Sequence, residues 1–234
     1  MKKALVVITT LLFTTLMLAG SAREDSQERL QMSADVLNQI MQSPDKGIPE
    51  EVLNNAKCIA VVPHLVKAGF IIGGKHGRGV ASCRTGNGWS APAFISVGGG
   101  SWGLQIGAES VDLVMLTMND LGMQHLLSSK FELSGEGSVA AGPVGRHASA
   151  GTDWKLNTEM LTYSRTKGVF AGLTLEGAVV QKDEDSTVAI YGKNKSFRQI
   201  LIGDATVPES ASVFMEALRH AGHQAREAER AGDR

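Results

Sequence analysis

The sequence predicts a mainly β protein with flanking helices, an α+β fold in which a Gly-rich, closed or strongly curved antiparallel sheet or barrel carries N-terminal and C-terminal helices. Three observations lead there. Between residues 57 and 118, short apolar or alternating runs succeed one another, mostly punctuated by Gly, Pro or Asn. The 234 residues include 27 glycines and only 5% aromatic side chains, a balance that suits strands approaching closely. Helical periodicity is strongest at the two ends of the chain.

From the N-terminus, Lys2 and Lys3 precede an apolar run from Ala4 to Leu18, and Gly20-Ser21-Ala22 offers small residues for cleavage. A signal peptide over residues 1–22, cut near Ala22, is the expectation. The competing anchor reading fails on length, because the apolar stretch is short of the ~20 residues a bilayer needs. Leu18-Ala19-Gly20-Ser21 is a lipoprotein-type sequence with Ser21 in place of the modified cysteine. A hydroxyl cannot replace the thiol, so the expected species is not a lipoprotein but a soluble periplasmic or secreted protein.

Residues 23–221 are expected to form one domain, followed by a polar tail at 222–234. Its helical segment, 23–55, begins with an amphipathic helix from Arg23 to Gln42. There Leu30, Ala34, Leu37 and Met41 recur at three- and four-residue spacing, with Val36 and Ile40 beside them. Pro44 and Gly47 end it, and Pro49-Glu50-Glu51 starts a short second helix. The β-rich body, 56–205, opens with six expected strands: Lys57–Val62, Ala68–Gly73, Gly79–Arg84, Trp89–Val97, Gly103–Ala108 and Val111–Met118. Asp120–Leu127 reads as a short helix capped by Asn119 or Asp120. A second β region runs from Phe131 to about Tyr191, in which Gly135–Gly151 is a loop or a strand pressed against another backbone. The chain closes with a helix from Pro208, buried through Ala211, Phe214, Met215 and Leu218 over 208–221.

Removing Lys2 and Lys3 from 23 basic side chains leaves 21 against 24 acidic ones, a formal charge of -3 and no global nucleic-acid signature. Gly98, Gly100 and Gly103 spell G-x-G-x-x-G, and the same segment with Ser101 spells the G-x-S-x-G of serine hydrolases. Both motifs need a helix after the strand, whereas Leu104-Gln105-Ile106-Gly107-Ala108 is strand-like. Cys58, His64, His76 and Cys83 lack the close pairs of a zinc site, so neither a metal nor a cofactor is expected. Whether Cys58 and Cys83 are bridged stays open: export favours a disulfide, but a simple three-strand meander places them at opposite ends of the sheet.

Charge distribution carries more. From Glu51 to Glu109 no acidic residue intervenes, while Lys57, Lys67, Lys75, Arg78 and Arg84 are present. Were the strands adjacent, these five would form a cationic patch suited to phosphate headgroups or another anionic surface. Ordinary solvated lysines on both faces are the plain alternative.

Several linked segments resemble the SYLF domain family. They are Ala56-Lys57 to Gly74; Gly88-Trp89-Ser90-Ala91-Pro92-Ala93-Phe94; Gly103 to Ala108; Ser138 to Arg146; and Tyr163-Ser164-Arg165-Thr166-Lys167-Gly168-Val169-Phe170-Ala171-Gly172 with Leu175-Glu176-Gly177. The match spans about residues 31–221 in order. The resemblance implies a non-enzymatic lipid-binding module whose eukaryotic relatives bind phosphoinositides and other anionic lipids, some yeast relatives also binding actin. Eukaryotic members are thought to use a basic N-terminal amphipathic helix, whereas here Arg23 and Arg29 face Glu24, Asp25, Glu28 and Asp35. That helix is therefore expected to pack on the sheet. The leading expectation is an exported protein that contacts anionic phospholipid at a membrane surface through Lys57, Lys67, Lys75, Arg78 and Arg84. The alternative is an envelope scaffold or protein-interaction module without lipid binding, and the remote one a hydrolase using Ser101.

Overall fold

A computed structural model describes residues 2–42, 47–70, 72–102, 107–128, 130–133, 139–142, 158–166, 169–170, 175 and 177–232. Residues 103–106 of the strand expected over Gly103–Ala108 and most of the Gly135–Gly151 segment lie outside the described residues, while Gly107 and Ala108 open β5. The elements in chain order begin with α1 (Lys2–Met41), α2 (Glu50–Asn55), β1 (Cys58–Phe70), β2 (Ile72–Thr85), β3 (Gly88–Trp89), β4 (Ala93–Trp102) and β5 (Gly107–Thr117). They continue with α3 (Asp120–Leu127), β6 (Lys130–Leu133), β7 (Val139–Ala141), β8 (Met160–Thr166), β9 (Val169–Phe170) and β10 (Ala178–Lys182). Three helices follow, α4 (Glu184–Tyr191), α5 (Phe197–Leu201) and, after a 3₁₀ turn at Glu209–Ala211, α6 (Ser212–Gly232).

The strands make one curled sheet, a half-barrel, in the order β6-β10-β4-β2-β1-β5-β8-β7, with β3 paired to β2 and β9 to β8. Neighbours are antiparallel except β7 and β8, which run parallel. Both faces of the sheet are covered, which explains why its strands read as continuous apolar runs. Ile59, Val61, Val80, Phe94, Val114, Leu116 and Tyr163 face a core completed by α1, α2 and α6. The alternating residues Ala60, Val62, Ala81, Ile95, Leu113, Met115 and Val180 face a second core, closed by Leu126 and Leu127 of α3 and Phe197, Ile200 and Leu201 of α5.

The terminal helices pack as their periodicity requires. Leu30, Ala34, Leu37, Ile40 and Met41 of α1 are buried, as are Phe214, Ala217, Leu218 and Ala221 of α6. Asn119 is the cap of α3, its side chain accepting from the Gly122 N–H at 2.8 Å.

Three expectations need correction. Lys57–Val62 and the start of Ala68–Gly73 are not separate strands but parts of β1, which ends at Phe70, while Ile72 and Gly73 already belong to β2: Pro63 brings no N–H to the ladder, and the chain bulges between Val62 and Leu65, with His64 at φ 50, before pairing resumes. The meander that separated the cysteines therefore does not exist. Cys58 lies directly opposite Cys83 in the β1–β2 hairpin, with Cα atoms 3.9 Å apart, and the two form a disulfide. Finally, the second β region stops at Lys182, because Asp183 caps a helix through its side chain and Glu184 and Asp185 favour the positive end of that helix.

Glycine is required where β2 lies against β1. A Cβ on Gly79 would stand 2.1 Å from the Val61 carbonyl oxygen, and one on Gly77 would stand 2.7 Å from Val62. Within the expected glycine-rich loop, Gly142 follows β7 and lies against the buried Tyr163 ring, where a Cβ would stand 2.2 Å away.

Candidate functional site

Among the described residues, buried charge gathers where α1, β2 and the start of α4 meet. Asp183 follows β10 and is held by main chain: its N–H donates to the Phe94 carbonyl at 2.9 Å, and its carbonyl accepts from Thr187 Oγ1 at 2.7 Å. Its Oδ1 accepts from the Ser186 N–H at 3.1 Å. Oδ2 accepts from Arg29 Nη1 and Ser186 Oγ, both at 2.9 Å, and forms an ion pair with Arg78 Nη2 at 3.1 Å. Arg29 also donates to Ser186 Oγ at 3.0 Å and lies over the Phe94 ring, 5.6 Å from its centroid.

The three charged side chains differ in exposure. Those of Arg29 and Asp183 are 5% and 6% exposed, whereas that of Arg78 is 45% exposed. Burial works to raise the Asp183 carboxyl, but the Ser186 bonds and then the guanidinium groups of Arg78 and Arg29 outweigh it and hold the group below the usual carboxylate range. Burial, and then repulsion from Arg78, lowers the Arg29 guanidinium. Asp183 thus faces two guanidiniums, and Asp25 adds a second carboxylate acting on Arg29.

Arg78 opens onto a groove of about 560 Å³ between the sheet and α4. His76, Arg78 and Ser96 line it from β2 and β4, and residues Gln181–Asp185 line it from β10 and the first turn of α4. On its rim Lys182 pairs with Glu184. The walls belong to strands and to the first turn of a helix, and their charges are of both signs.

The five sequence-predicted cations are distributed along the β1–β2 hairpin. Lys67 lies opposite Lys75 on β2 and Glu109 on β5, with Lys75 buried at 7% exposure. At the other end Lys57 pairs with Asp120 at 3.3 Å, while Arg84 donates to the Leu53 carbonyl at 3.0 Å and stacks 4.3 Å over the Trp89 ring. Burial lowers the Arg84 guanidinium. Lys75 and Arg84 are nine residues apart on one strand, about 30 Å at the rise of an extended chain. The structure therefore brings together Lys67 with Lys75, and Arg78 with Asp183, and keeps Arg84 far from the first pair.

Ser101 lies within β4, paired with Gly73, and Gly98 and Gly100 lie in the same strand. Gly103, the last residue of both glycine motifs, lies outside the described residues. Cys58 and Cys83 are committed to the disulfide, and among the described residues no group of three His, Cys, Asp or Glu side chains is arranged to hold a metal.

Sequence reasoning missed Arg29 and Asp183. Arg29 was visible as a cation inside the apolar stripe of α1, four residues before Ser33 and seven before Val36. Asp183 was visible as the first residue of Asp-Glu-Asp-Ser, an N-cap followed by acids.

Comparison with known proteins agrees with this architecture. A family model described as "Ysc84: Las17-binding protein actin regulator" matches residues 98–221, from β4 into α6. An SH3 domain-containing protein of Schizosaccharomyces pombe is 35% identical over 175 residues, 73% of this chain and 40% of the relative. Human SH3 domain-containing YSC84-like protein 1 is 32% identical over 75% of this chain and 52% of its own length. LAS seventeen-binding protein 3 of Saccharomyces cerevisiae is 33% identical over 74% of this chain and 39% of its own length. The chain thus spans about half or less of these relatives. With the family model matching more than half of the 234 residues, and relatives more than 30% identical over about three quarters of the chain, the protein belongs to the Ysc84 (SYLF) family.

Proposed function

We propose that this protein is an exported protein-interaction module that presents the groove beside Arg78 to a protein partner. The observation that carries the reading is the construction of that groove: a half-exposed arginine anchored on a carboxylate that a second, buried arginine already neutralises. Such a floor is preorganised, so a partner's side chains meet charges that need not be ordered first. The names carried by the family and by one relative, Las17-binding protein and LAS seventeen-binding protein 3, refer to protein partners. Export is supported by the charged head, apolar run and small residues of the first 22 positions, and by a disulfide of the kind that persists in oxidising compartments.

Affinity capture from envelope fractions, followed by reconstitution with the purified partner, tests the proposal. A stoichiometric complex formed without vesicles is the expected result. Failure of any captured protein to re-form a complex from pure components would remove the reading.

Attachment to anionic phospholipid is a second reading, favoured by the acid-free run of cations from Lys57 to Arg84, in which Lys67 is partly exposed although its neighbour Lys75 is buried. Attraction of about 1 kcal/mol per basic residue near an anionic surface gives weak, salt-sensitive binding. Liposome co-sedimentation of Lys67→Glu and Lys75→Glu variants tests it: unchanged sedimentation, or equal binding to neutral vesicles, refutes this version.

A further inference from the structure

The groove beside Arg78 lacks what a protein interface needs at its centre. Every residue that lines it is polar or charged, and its cations are already held, Arg78 by Asp183 at 3.1 Å and Lys182 by Glu184. The centres of protein interfaces are depleted in charge and built on apolar or aromatic anchors, with polar groups at the rim. A groove of this composition supplies a rim and needs an anchor beside it.

The register of β2 and β4 shows where the surface continues. Arg78 pairs with Ser96, His76 with Gly98, Gly74 with Gly100 and Ile72 with Trp102, in one unbroken ladder. Alternation along the two strands assigns these pairs to a single face of the sheet. Arg78, Ser96 and His76 line the groove, whereas Ile72 and Trp102 set an aliphatic residue opposite an aromatic one, six residues farther along each strand. That distance is about 20 Å at the rise of an extended chain. Between the two ends the face is floored by glycine. A Cβ on Gly100 would meet nothing within 4 Å, and one on Gly74 or Gly98 would meet only a backbone oxygen, at 3.9 and 3.8 Å. Gly74 and Gly100 are exposed, so among the described residues nothing covers this stretch.

We propose that the partner protein docks an extended segment along β2 and β4, anchoring an aromatic or aliphatic side chain at the Ile72–Trp102 pair and placing hydroxyl or amide side chains in the groove. Glycine at 74, 98 and 100 lets the partner's main chain approach the sheet closely. An extended segment covers the same span in about six residues, which sets the spacing between its apolar anchor and its polar side chains. Uncharged polar groups suit the groove because its three carboxylates oppose an acid, while Arg78, Lys182 and the positive end of α4 oppose a base. Ser96 and Gln181, paired across β4 and β10, each offer a donor and an acceptor.

This inference rests on the protein-interaction reading, and its test separates the two. Dodecapeptides displayed on phage are selected on the full mature chain, and the recovered peptide is synthesised with fluorescein and titrated by anisotropy. The expected peptide carries an aromatic or aliphatic residue about six positions from Ser, Thr, Asn or Gln. Its affinity falls at least tenfold in Trp102→Ala and in Gly100→Gln, recovers in Trp102→Phe and is unchanged in Gly86→Gln. A Cβ at position 86 or 100 meets nothing within 4 Å, so both glutamine variants are expected to fold, and only the one at position 100 obstructs the face. Failure to recover any peptide, equal binding by Gly100→Gln, or selection by net charge alone would each overturn the inference. If the complex rebuilt with a purified partner tolerates both Gly100→Gln and Trp102→Ala, docking along this face fails while the protein-interaction reading stands. If no partner complex can be rebuilt at all, the broader reading fails instead.

Discussion

Arg29 of α1 and Asp183 before α4 are 154 residues apart in sequence and meet at 2.9 Å in the interior, each with less than a tenth of its side chain exposed. This pair ties the N-terminal helix to the last strand and the helix after it. Removing one member leaves an uncompensated buried charge, which costs about 3–5 kcal/mol. Asp183→Ala is therefore expected to lose stability of that order in urea denaturation, and Arg78→Ala much less, because its side chain is half exposed.

The same carboxyl sets an acid limit on stability. Its folded pKa lies below its unfolded value, so between the two the unfolded chain binds more protons and stability rises with pH. The contribution is complete above the unfolded value of about 3.9 and is lost as pH falls through the folded value. Unfolding free energies measured from pH 6 to pH 2 should decline at the acid end for wild type, and decline less steeply for Asp183→Asn.

The Cys58–Cys83 bridge closes a segment of 25 residues. Constraining an unfolded loop of that size is worth about 3 kcal/mol in the chain-entropy description. Reduction, or the double replacement Cys58→Ala with Cys83→Ala, should lower the urea midpoint without changing far-UV circular dichroism at low denaturant. An unchanged midpoint would mean that the bridge contributes no stability.

Close approach of β1 and β2 depends on a missing side chain. Gly79→Ala would drive a Cβ into the Val61 carbonyl, a backbone group that cannot turn aside, whereas a Cβ on Gly100 meets nothing within 4 Å. Overpacking of this kind costs about 1–3 kcal/mol. Thermal unfolding should show a clear loss for Gly79→Ala and a change near zero for Gly100→Ala.

The fold was largely legible in the sequence, and the candidate site only in fragments. Period and punctuation identified the terminal helices, the apolar strands and the Asn119 cap, because each is a local pattern. The continuity of β1 past Pro63 was not local: it depends on β2 and β5 pairing on either side of the bulge. The disulfide stayed open for the same reason, since one long hairpin, not a meander, decides which residues face each other. Five cations in an acid-free segment are a fact of sequence, but their separation along the hairpin and the partners Asp120 and Asp183 come from outside that segment. Arg29 and Asp183 carried local signals, a cation in an apolar stripe and an N-cap, yet only the tertiary fold joins them.

We propose that the groove beside Arg78 serves a protein partner. The most direct measurement is the mass of the complex rebuilt from the purified mature chain and its purified captured partner, by size-exclusion chromatography with light scattering and no lipid present. A single species of defined stoichiometry, lost or weakened in Arg78→Glu, is the predicted result. The contradictory result is a chain that remains uncomplexed with every purified candidate and associates only with anionic vesicles.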